Sequence, residues 1–309
     1  MTRAIVFAYH DVGCRCLEVL LARGVEVSLV LTHDDAPGEN IWFESVAAAA
    51  HRHGIPVIAP EDPNLPHIVE RVRALAPHYL FSFYYRRMLK PELLDIPDRG
   101  ALNMHGSLLP KYRGRAPVNW AVIRGETETG ASLHYMTAKP DQGDLVDQLA
   151  VPILPDDLAS DVFRKVTVAA ELVLHRILPK LLEGTAPRIA QDLSRGSYCG
   201  GRRPEDGRID WSLPAAVVHN LVRGVAPPYP GAFCLVNGHR LRVLRTACIA
   251  PPRPATGRPA LHAIGDRCCV ECGDGAWLWL LDIEWDGRPA DVGVLRGTLG
   301  PGPMPLADA

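Results

Sequence analysis

Two patterns of apolar and polar positions divide this chain. From residue 4 to residue 136 short, nearly continuous apolar runs recur: residues 4–9 (AIVFAY), 25–32 (VEVSLVLT), 55–58, 79–83 (YLFSF) and 100–105. Runs of this kind predict strands buried on both faces, as in a parallel sheet. Between them lie stretches with helical spacing. Residues 10–13 predict a turn, and residues 14–23 a helix with Leu17, Leu20 and Leu21 on one face and Gly24 as its stop. Residues 42–54, 67–75 and 118–123 predict further helices. Residues 129–136 alternate as a strand and residues 145–154 add another. Residues 158–182 predict a long amphipathic helix, with Val162, Val166, Ala169, Val173 and Ile177 on its buried side and a kink near Pro179. Strand and helix in alternation predict an α/β fold built on a doubly wound, mostly parallel sheet.

The pattern changes after residue 189. The run DLSRGSYCGGRRPEDGR is polar and glycine-rich, as a linker is. Beyond it one helix (residues 214–225) precedes short alternating strands at 232–236, 240–250, 267–272 and 277–285, which predict a smaller, OB-like β-barrel. The expected organisation is a catalytic domain over residues 1–193, a linker over 194–206, a C-terminal barrel domain over 207–300 and a flexible tail over 301–309. Residues 290–309, rich in Pro and Gly, read as frayed.

Composition narrows the function. The chain has 309 residues, 47% of them hydrophobic, and a formal net charge of −2. Such a balance gives no footprint for nucleic acid or an anionic membrane. No apolar run approaches the ~18–20 residues of a membrane span. The start, MTRAIVFAYHD, lacks the apolar region and cleavage site of a signal peptide, so a cytoplasmic location is expected. Of the eight cysteines, Cys268, Cys269 and Cys272 form a C-C-x-x-C cluster with no second ligand pair at finger-like spacing. Buried thiols are the expectation there, and no metal. The opening β-turn-α-β unit lacks both G-x-G-x-x-G and a P-loop, so it indicates neither a dinucleotide nor a P-loop nucleotide.

Candidate chemistry concentrates in ALNMHGSLLPKYRGRAP, residues 101–117. On a strand Asn103 and His105 share a face. An amide beside an imidazole suits stabilising an oxyanion while moving a proton. An isolated N-x-H is more often a pair of strand-end groups that merely satisfy backbone. Asp141, in KPDQGD, adds a carboxylate that could hold the imidazole, and strand ends gathered at one sheet edge would bring it there. Tyr84, Tyr85, Arg86 and Arg87 follow a buried strand at the edge where such sheets bind ligands; they can hold a planar anion or simply pack and solvate.

Taken together, Asn103, His105, the SLLP that follows and the later Asp141 resemble the signature of the 10-formyltetrahydrofolate-dependent formyltransferases. FAYHDVG, FSFYYR, HGSLLPKYRGRAP, GETETG and VRGVAPPYPGAF are most similar to the formyltransferase domain of the UDP-4-amino-4-deoxy-L-arabinose formyltransferases, found in bifunctional polymyxin-resistance enzymes. The resemblance implies a Rossmann-like formyltransferase domain and 10-formyltetrahydrofolate as co-substrate. It implies His105 as general acid/base, Asn103 as the group that stabilises the transition state and Asp141 as the carboxylate that tunes the imidazole. Arg87, Met88 and Leu89, Arg115, and Thr137, Ala138, Lys139 and Pro140 match cofactor contacts, although Arg87 stands where some relatives have His. The implied acceptor is UDP-4-amino-4-deoxy-L-arabinose, serving lipid A modification and polymyxin resistance. A methionyl-tRNA formyltransferase and another nucleotide-sugar N-formyltransferase are the alternatives. Against the tRNA enzymes stand the acidic loop at residues 33–40, the HGS and RGRAP wording and the negative net charge. Arg202, Arg203 and Arg223 are candidate diphosphate or uridine partners, or ordinary surface charge. With no decarboxylase domain in the sequence, a monomer or weak dimer is expected, with no nucleic-acid or membrane partner.

Overall fold

A computed structural model describes residues 1–36, 38–300 and 302–306. The chain forms two compact units. The first comprises Met1–Pro117, Glu128–Val151 and Phe163–Gly200; the second comprises Val118–Thr127, Pro152–Val162 and Gly201–Ala309.

The first unit is organised by a seven-stranded sheet of order β3-β2-β1-β4-β5-β7-β8. Its strands are β1 (Arg3–Ala8), β2 (Glu26–Leu31), β3 (Val57–Ile58), β4 (Tyr79–Phe83), β5 (Ala101–His105), β7 (Glu128–Tyr135) and β8 (Leu145–Pro152). The buried apolar runs are the central strands: every residue of β4 is buried, and so is β1 from Ala4 onward. Pairing from β3 to β5 is parallel, whereas β5 and β7 pair antiparallel, with Asn103 opposite His134 and His105 opposite Ser132. The sheet is therefore mixed, mostly parallel and Rossmann-like. On one face Ile5, Phe7, Leu29 and Leu80 pack with Ile68, Val69 and Val72 of α3 (Pro66–Ala74) and with Leu93 of α4 (Pro91–Leu94).

Helix α1 runs over His10–Ala22. The turn expected at residues 10–13 is absent because the chain pivots at one residue, His10, with φ of 67°. Helix α2 (Val46–Arg52) starts later than its apolar pattern, because Ser45 caps it by accepting from the Ala48 N–H. Helices α5 (Pro117–Ile123) and α6 (Ala159–Glu183) follow, and Val162, Val166, Ala169, Val173 and Ile177 of α6 are all buried.

Part of the expected linker is built into the first unit. Strand β9 (Tyr198–Cys199) pairs in parallel with β6 (Arg113–Gly114), and Leu193–Arg195 forms a 3-10 turn. Polar, glycine-rich composition describes these side chains, but it is their backbone that makes the ladder. Pro204–Gly207 forms a second 3-10 turn, in which the Arg203 N–H donates to Asp206 at 2.6 Å.

The second unit holds helix α7 (Ala215–Val225) and an antiparallel, OB-like half-barrel of order β10-β11-β14-β13-β12-β16. Its strands are β10 (Ala232–Val236), β11 (His239–Ile249), β12 (Ala260–Ile264), β13 (Arg267–Glu271), β14 (Trp277–Trp285), β15 (Arg288–Ala290), paired with β14, and β16 (Met304–Pro305). Val218 and Val222 of α7 enter its core with Ile209 and Trp211. The C-terminal stretch is not frayed as expected. Helix α8 (Val292–Leu299) is capped by Asp291, Met304 pairs with Leu261, and Leu306 is buried in the core. Short apolar stretches between prolines gave no periodicity to read. The remainder of the expected flexible tail, residues 301 and 307–309, lies outside the described residues.

Among the described residues no helix is long and apolar enough to cross a membrane. None of the eight cysteines is in a disulfide, and burial pushes Cys268 and Cys269 up to about 11 and Cys272 to about 12.

Candidate active site

The face of the β5–β7 pair carries a buried polar cluster. Asn103 and His105, two positions apart on β5, both reach one carboxylate oxygen of Asp141. Asn103 Nδ2 lies 3.4 Å from Oδ1 and His105 Nδ1 lies 3.6 Å from it. The other carboxylate oxygen, Oδ2, accepts from the Gly114 N–H at 2.8 Å. The Gln191 side-chain amide donates to the Asp141 carbonyl at 3.1 Å and the Gly143 carbonyl at 2.6 Å, which fixes the turn. Asp141 itself takes a left-handed φ of 54°.

The three residues meet by a different route from the one their topology suggested. β7 is antiparallel to β5, so residue 136 leaves the sheet at the opposite end, where the Met136 N–H donates to the Ala101 carbonyl at 2.7 Å. Residues 137–141 then fold back over the face of β5. The cluster thus combines the C-terminal end of β5, where His105 is the last strand residue, with a turn that comes from the opposite end of β7.

His105 is buried, at 6% exposure. Its Nε2 lies 2.8 Å from the Tyr112 carbonyl. A carbonyl only accepts, so Nε2 carries a proton and Nδ1 is the nitrogen that faces Asp141. The loop bearing Tyr112 is held at several points. Ser107 Oγ donates to the Lys111 carbonyl at 2.6 Å, Ser132 Oγ donates to the Ser107 carbonyl at 2.5 Å, and Ser197 Oγ accepts from the Tyr112 N–H at 2.8 Å. Gly106 is demanded by close approach, since a Cβ there would stand 1.9 Å from the Tyr84 hydroxyl. Gly114 has φ of +98° and would place a Cβ 2.3 Å from the Cys199 carbonyl.

One residue of this cluster escaped sequence reasoning. His134, on β7 opposite Asn103, is 1% exposed. Its Nδ1 donates to the Tyr135 carbonyl at 2.8 Å, and its Nε2 lies 3.1 Å from Asn103 Nδ2 and 3.3 Å from Asp141 Oδ1. In the neutral ring that nitrogen accepts from Asn103; in the charged ring it donates to Asp141. In the sequence His134 is one polar letter in an alternating strand. Its cross-strand register with Asn103 was the missing signal. Burial pushes the Asp141 carboxyl up, but the His105 charge, the hydrogen bond and charge of His134 and the Gly114 N–H outweigh it and hold the group well below the usual carboxylate range.

The other predicted residues divide. Thr137, Ala138 and Lys139 are exposed in the turn leading to Asp141, with Thr137 Oγ1 donating to the Lys139 carbonyl at 2.9 Å, and Pro140 is half-buried. Arg87 and Met88 are exposed after β4, where Asn64 Nδ2 donates to the Met88 carbonyl at 3.0 Å. Leu89 departs from expectation: its side chain is buried in the core cluster against which Met136 also packs, leaving only its backbone for a ligand. Arg115 is exposed, its N–H donating to the Cys199 carbonyl at 2.9 Å.

In the second unit Arg223 is no surface charge. It is buried and donates to Asn220 Oδ1 at 2.8 Å, to the Asp157 carbonyl at 3.1 Å and to the Leu154 carbonyl at 3.3 Å. Those partners take its Nε and Nη1 donors, and the side chain is spent inside the unit rather than presented as surface charge. Arg203 is exposed. Arg202 lies 5.2 Å from the Trp120 ring centre, with a buried Nη1 that has no hydrogen-bond partner among the described residues. Among the described residues no group of three His, Cys, Asp or Glu is placed to hold a metal ion.

A two-unit chain with a mixed Rossmann-like sheet, a half-barrel and a buried amide–imidazole–carboxylate cluster defines a class of group-transfer enzymes, and comparison with known proteins agrees. The formyl transferase family matches residues 20–178, and the formyl transferase C-terminal domain matches residues 202–292. The chain belongs to the formyl transferase family and is an enzyme of that family. Solved structures share its fold. An N-formyltransferase from Helicobacter canadensis, in complex with folinic acid and dTDP-3-aminofucose, is 19% identical with a TM-score of 0.70, covering 91% of this chain and 99% of that one. WlaRD, a sugar 3N-formyl transferase in the presence of dTDP and 5-N-formyl-THF, is 17% identical with a TM-score of 0.70, covering 90% and 97%. HypX from Aquifex aeolicus, in complex with tetrahydrofolic acid, is 18% identical with a TM-score of 0.64, covering 96% of this chain and 47% of that one.

Proposed function

We propose that this enzyme transfers a formyl group from 10-formyltetrahydrofolate to the amine of a nucleotide-linked amino sugar, with UDP-4-amino-4-deoxy-L-arabinose as acceptor and lipid A modification, and hence polymyxin resistance, as its setting. The observation that carries the reading is the convergence of Asn103 and His105 on one oxygen of Asp141. It is supported by the family and by likeness of fold to sugar N-formyltransferases whose structures contain dTDP or a dTDP-sugar.

The chemistry follows from the groups. Attack of the amine on the formyl carbon builds a tetrahedral carbon bearing an oxyanion. Asn103 supplies a donor: its N–H toward Asp141 is long, at 3.4 Å, and is the one an oxyanion would take over. The amine must lose a proton and N10 of the folate must gain one. His105, through the nitrogen facing Asp141, carries it, and the carboxylate steadies the charged ring. His134 positions Asn103 and Asp141. Arg87, Met88, the Leu89 backbone, Arg115 and residues 137–140 hold the folate. The enzyme works in the cytoplasm as a monomer or weak dimer, without a nucleic-acid, membrane or metal partner.

The test is a panel with 10-formyltetrahydrofolate: UDP-4-amino-4-deoxy-L-arabinose, a dTDP-4-amino sugar and methionyl-tRNA, each product read by mass spectrometry. The UDP-linked sugar is expected to be formylated fastest. Formylation of the dTDP-sugar alone would move the acceptor within the class, and formylation of the tRNA alone would overturn the reading.

A further inference from the structure

Within the first unit, the C-terminal ends of β1, β2 and β3 enclose a cavity of about 370 Å³. It lies across the β1–β4 crossover from Asn103 and His105, since the strand order there is β3-β2-β1-β4-β5. The size falls in the lower part of the range for ligand pockets, roughly 300–1,000 Å³. Nothing in the proposed chemistry uses it.

Its walls suit a nucleoside. Ala47 and Ile58 offer apolar surface, and Tyr9 and Phe43 offer two rings, 5.0 Å between centres and edge to face. The polar groups come from the segment after β2. Asp35 is occupied, accepting from the Tyr9 hydroxyl at 2.7 Å. The carboxylate of Asp34, beside it, is exposed and has no hydrogen-bond partner among the described residues. His33 Nε2 accepts from the Arg86 N–H at 3.0 Å, so Nδ1 remains as a donor in the neutral ring. Burial, with the Arg86 and Arg87 charges, pushes that imidazole down to about 4, which keeps it neutral at pH 7. An acidic side chain just past the second strand of a β-α-β unit is where α/β sheets read ribose hydroxyls.

We propose that this cavity takes the nucleoside of the acceptor, its base against Phe43 and Tyr9 and its ribose 2′-hydroxyl donating to Asp34, so that the enzyme selects ribonucleotide over deoxyribonucleotide sugars. The assignment rests on the nucleotide-sugar reading above. It is consistent with span: β2 and β5 are three strand spacings apart, about 14 Å at ~4.8 Å each. A diphosphate and a sugar ring bridge that span, and a free amino sugar does not. The first turn of the sheet lacks the glycines that admit a dinucleotide, which matches a cavity sized for one nucleoside.

The test measures binding of UDP, 2′-deoxy-UDP and uridine by calorimetry to the full chain, to Asp34→Asn and to Ala47→Trp, with formyl transfer assayed in parallel. UDP is expected to bind about tenfold tighter than 2′-deoxy-UDP, the value of a hydrogen bond to a charged acceptor. Asp34→Asn, an exposed change that leaves the fold intact, should bring the two within about threefold. Ala47→Trp, which fills the cavity, should remove binding of both. Measurable uridine binding places the recognition in the nucleoside itself; UDP binding without any uridine binding would assign it to the diphosphate and sink the proposal. Equal affinities for UDP and 2′-deoxy-UDP, or UDP binding unchanged in both variants, would overturn it. If the UDP-sugar is formylated with unaltered KM in both variants, the cavity assignment fails while the proposed function stands. If no amine is formylated but UDP binds through Asp34, the function fails and the site stands.

Discussion

Replacing His105 separates its chemistry from its structural work. The imidazole is buried and donates from Nε2 to the Tyr112 carbonyl at 2.8 Å, so His105→Ala leaves a buried carbonyl without its donor as well as removing the proposed proton carrier. An orphaned buried acceptor costs about 1–3 kcal/mol of stability. His105→Gln replaces the donor with an amide N–H and restores most of that, but an amide cannot exchange a proton near neutral pH. General acid–base catalysis is worth ~10²–10⁴-fold, or about 2.7–5.4 kcal/mol of barrier. Both variants should therefore lose roughly that factor in kcat/KM, while only His105→Ala unfolds at markedly lower urea. The assay is single-turnover formyl transfer with saturating folate, read as formylated product by mass spectrometry, beside urea unfolding of each variant. If His105→Gln kept its rate within about tenfold of the wild type, His105 would not be the proton carrier. If both variants lost activity only in proportion to lost folded protein, the residue would be structural.

Other consequences are as direct. Gly106→Ala would put a Cβ 1.9 Å from the Tyr84 hydroxyl, so it should cost about 1–3 kcal/mol in unfolding, and adding Tyr84→Phe should return part of that; no recovery would mean that the clash lies elsewhere. The Asp141 carboxyl is held below its unfolded value of about 3.9, so its stabilisation is complete above that pH and is lost as pH falls toward the folded value. The stability gap between the wild type and Asp141→Asn should therefore shrink between pH 5 and pH 3, measured by urea unfolding, and a gap that widens in acid would contradict the charge network drawn here. Arg223→Ala should lower the unfolding midpoint by orphaning the Leu154 and Asp157 carbonyls while leaving KM for the nucleotide sugar unchanged; a raised KM with an unchanged midpoint would return Arg223 to the binding surface.

What could be read from the chain was local. Continuous apolar runs marked β1, β4 and β5, and steps of three and four marked the buried side of α6, because both signals are written within ten or twenty consecutive residues. Asn103 and His105 were legible for the same reason: a strand places positions two apart on one face. What could not be read depends on partners distant in sequence. His134 matters only through its register with Asn103, 31 positions away. Asp141 reaches the cluster only because β7 runs against β5, and strand direction leaves no mark in an apolar run. Arg223 looks like surface charge until the backbone carbonyls that use it are in place. Leu89 sits in a motif expected to contact ligand, yet its own side chain turns inward to the core.

The short pairing of β6 with β9 bears on how this chain could be divided or recombined. Tyr112, whose carbonyl orients His105, has its own N–H held by Ser197, and Gly114, whose N–H holds Asp141, abuts Cys199. A fragment ending at residue 178, the end of the family match, or at residue 193 would keep Asn103, His105 and Asp141 and lose the strap that aligns them. It would carry every residue of the signature and still be a poor enzyme. Fusions, truncations and chimaeras of this protein should therefore be joined after Gly200, so that the last three residues before the seam travel with a motif that lies some ninety positions upstream.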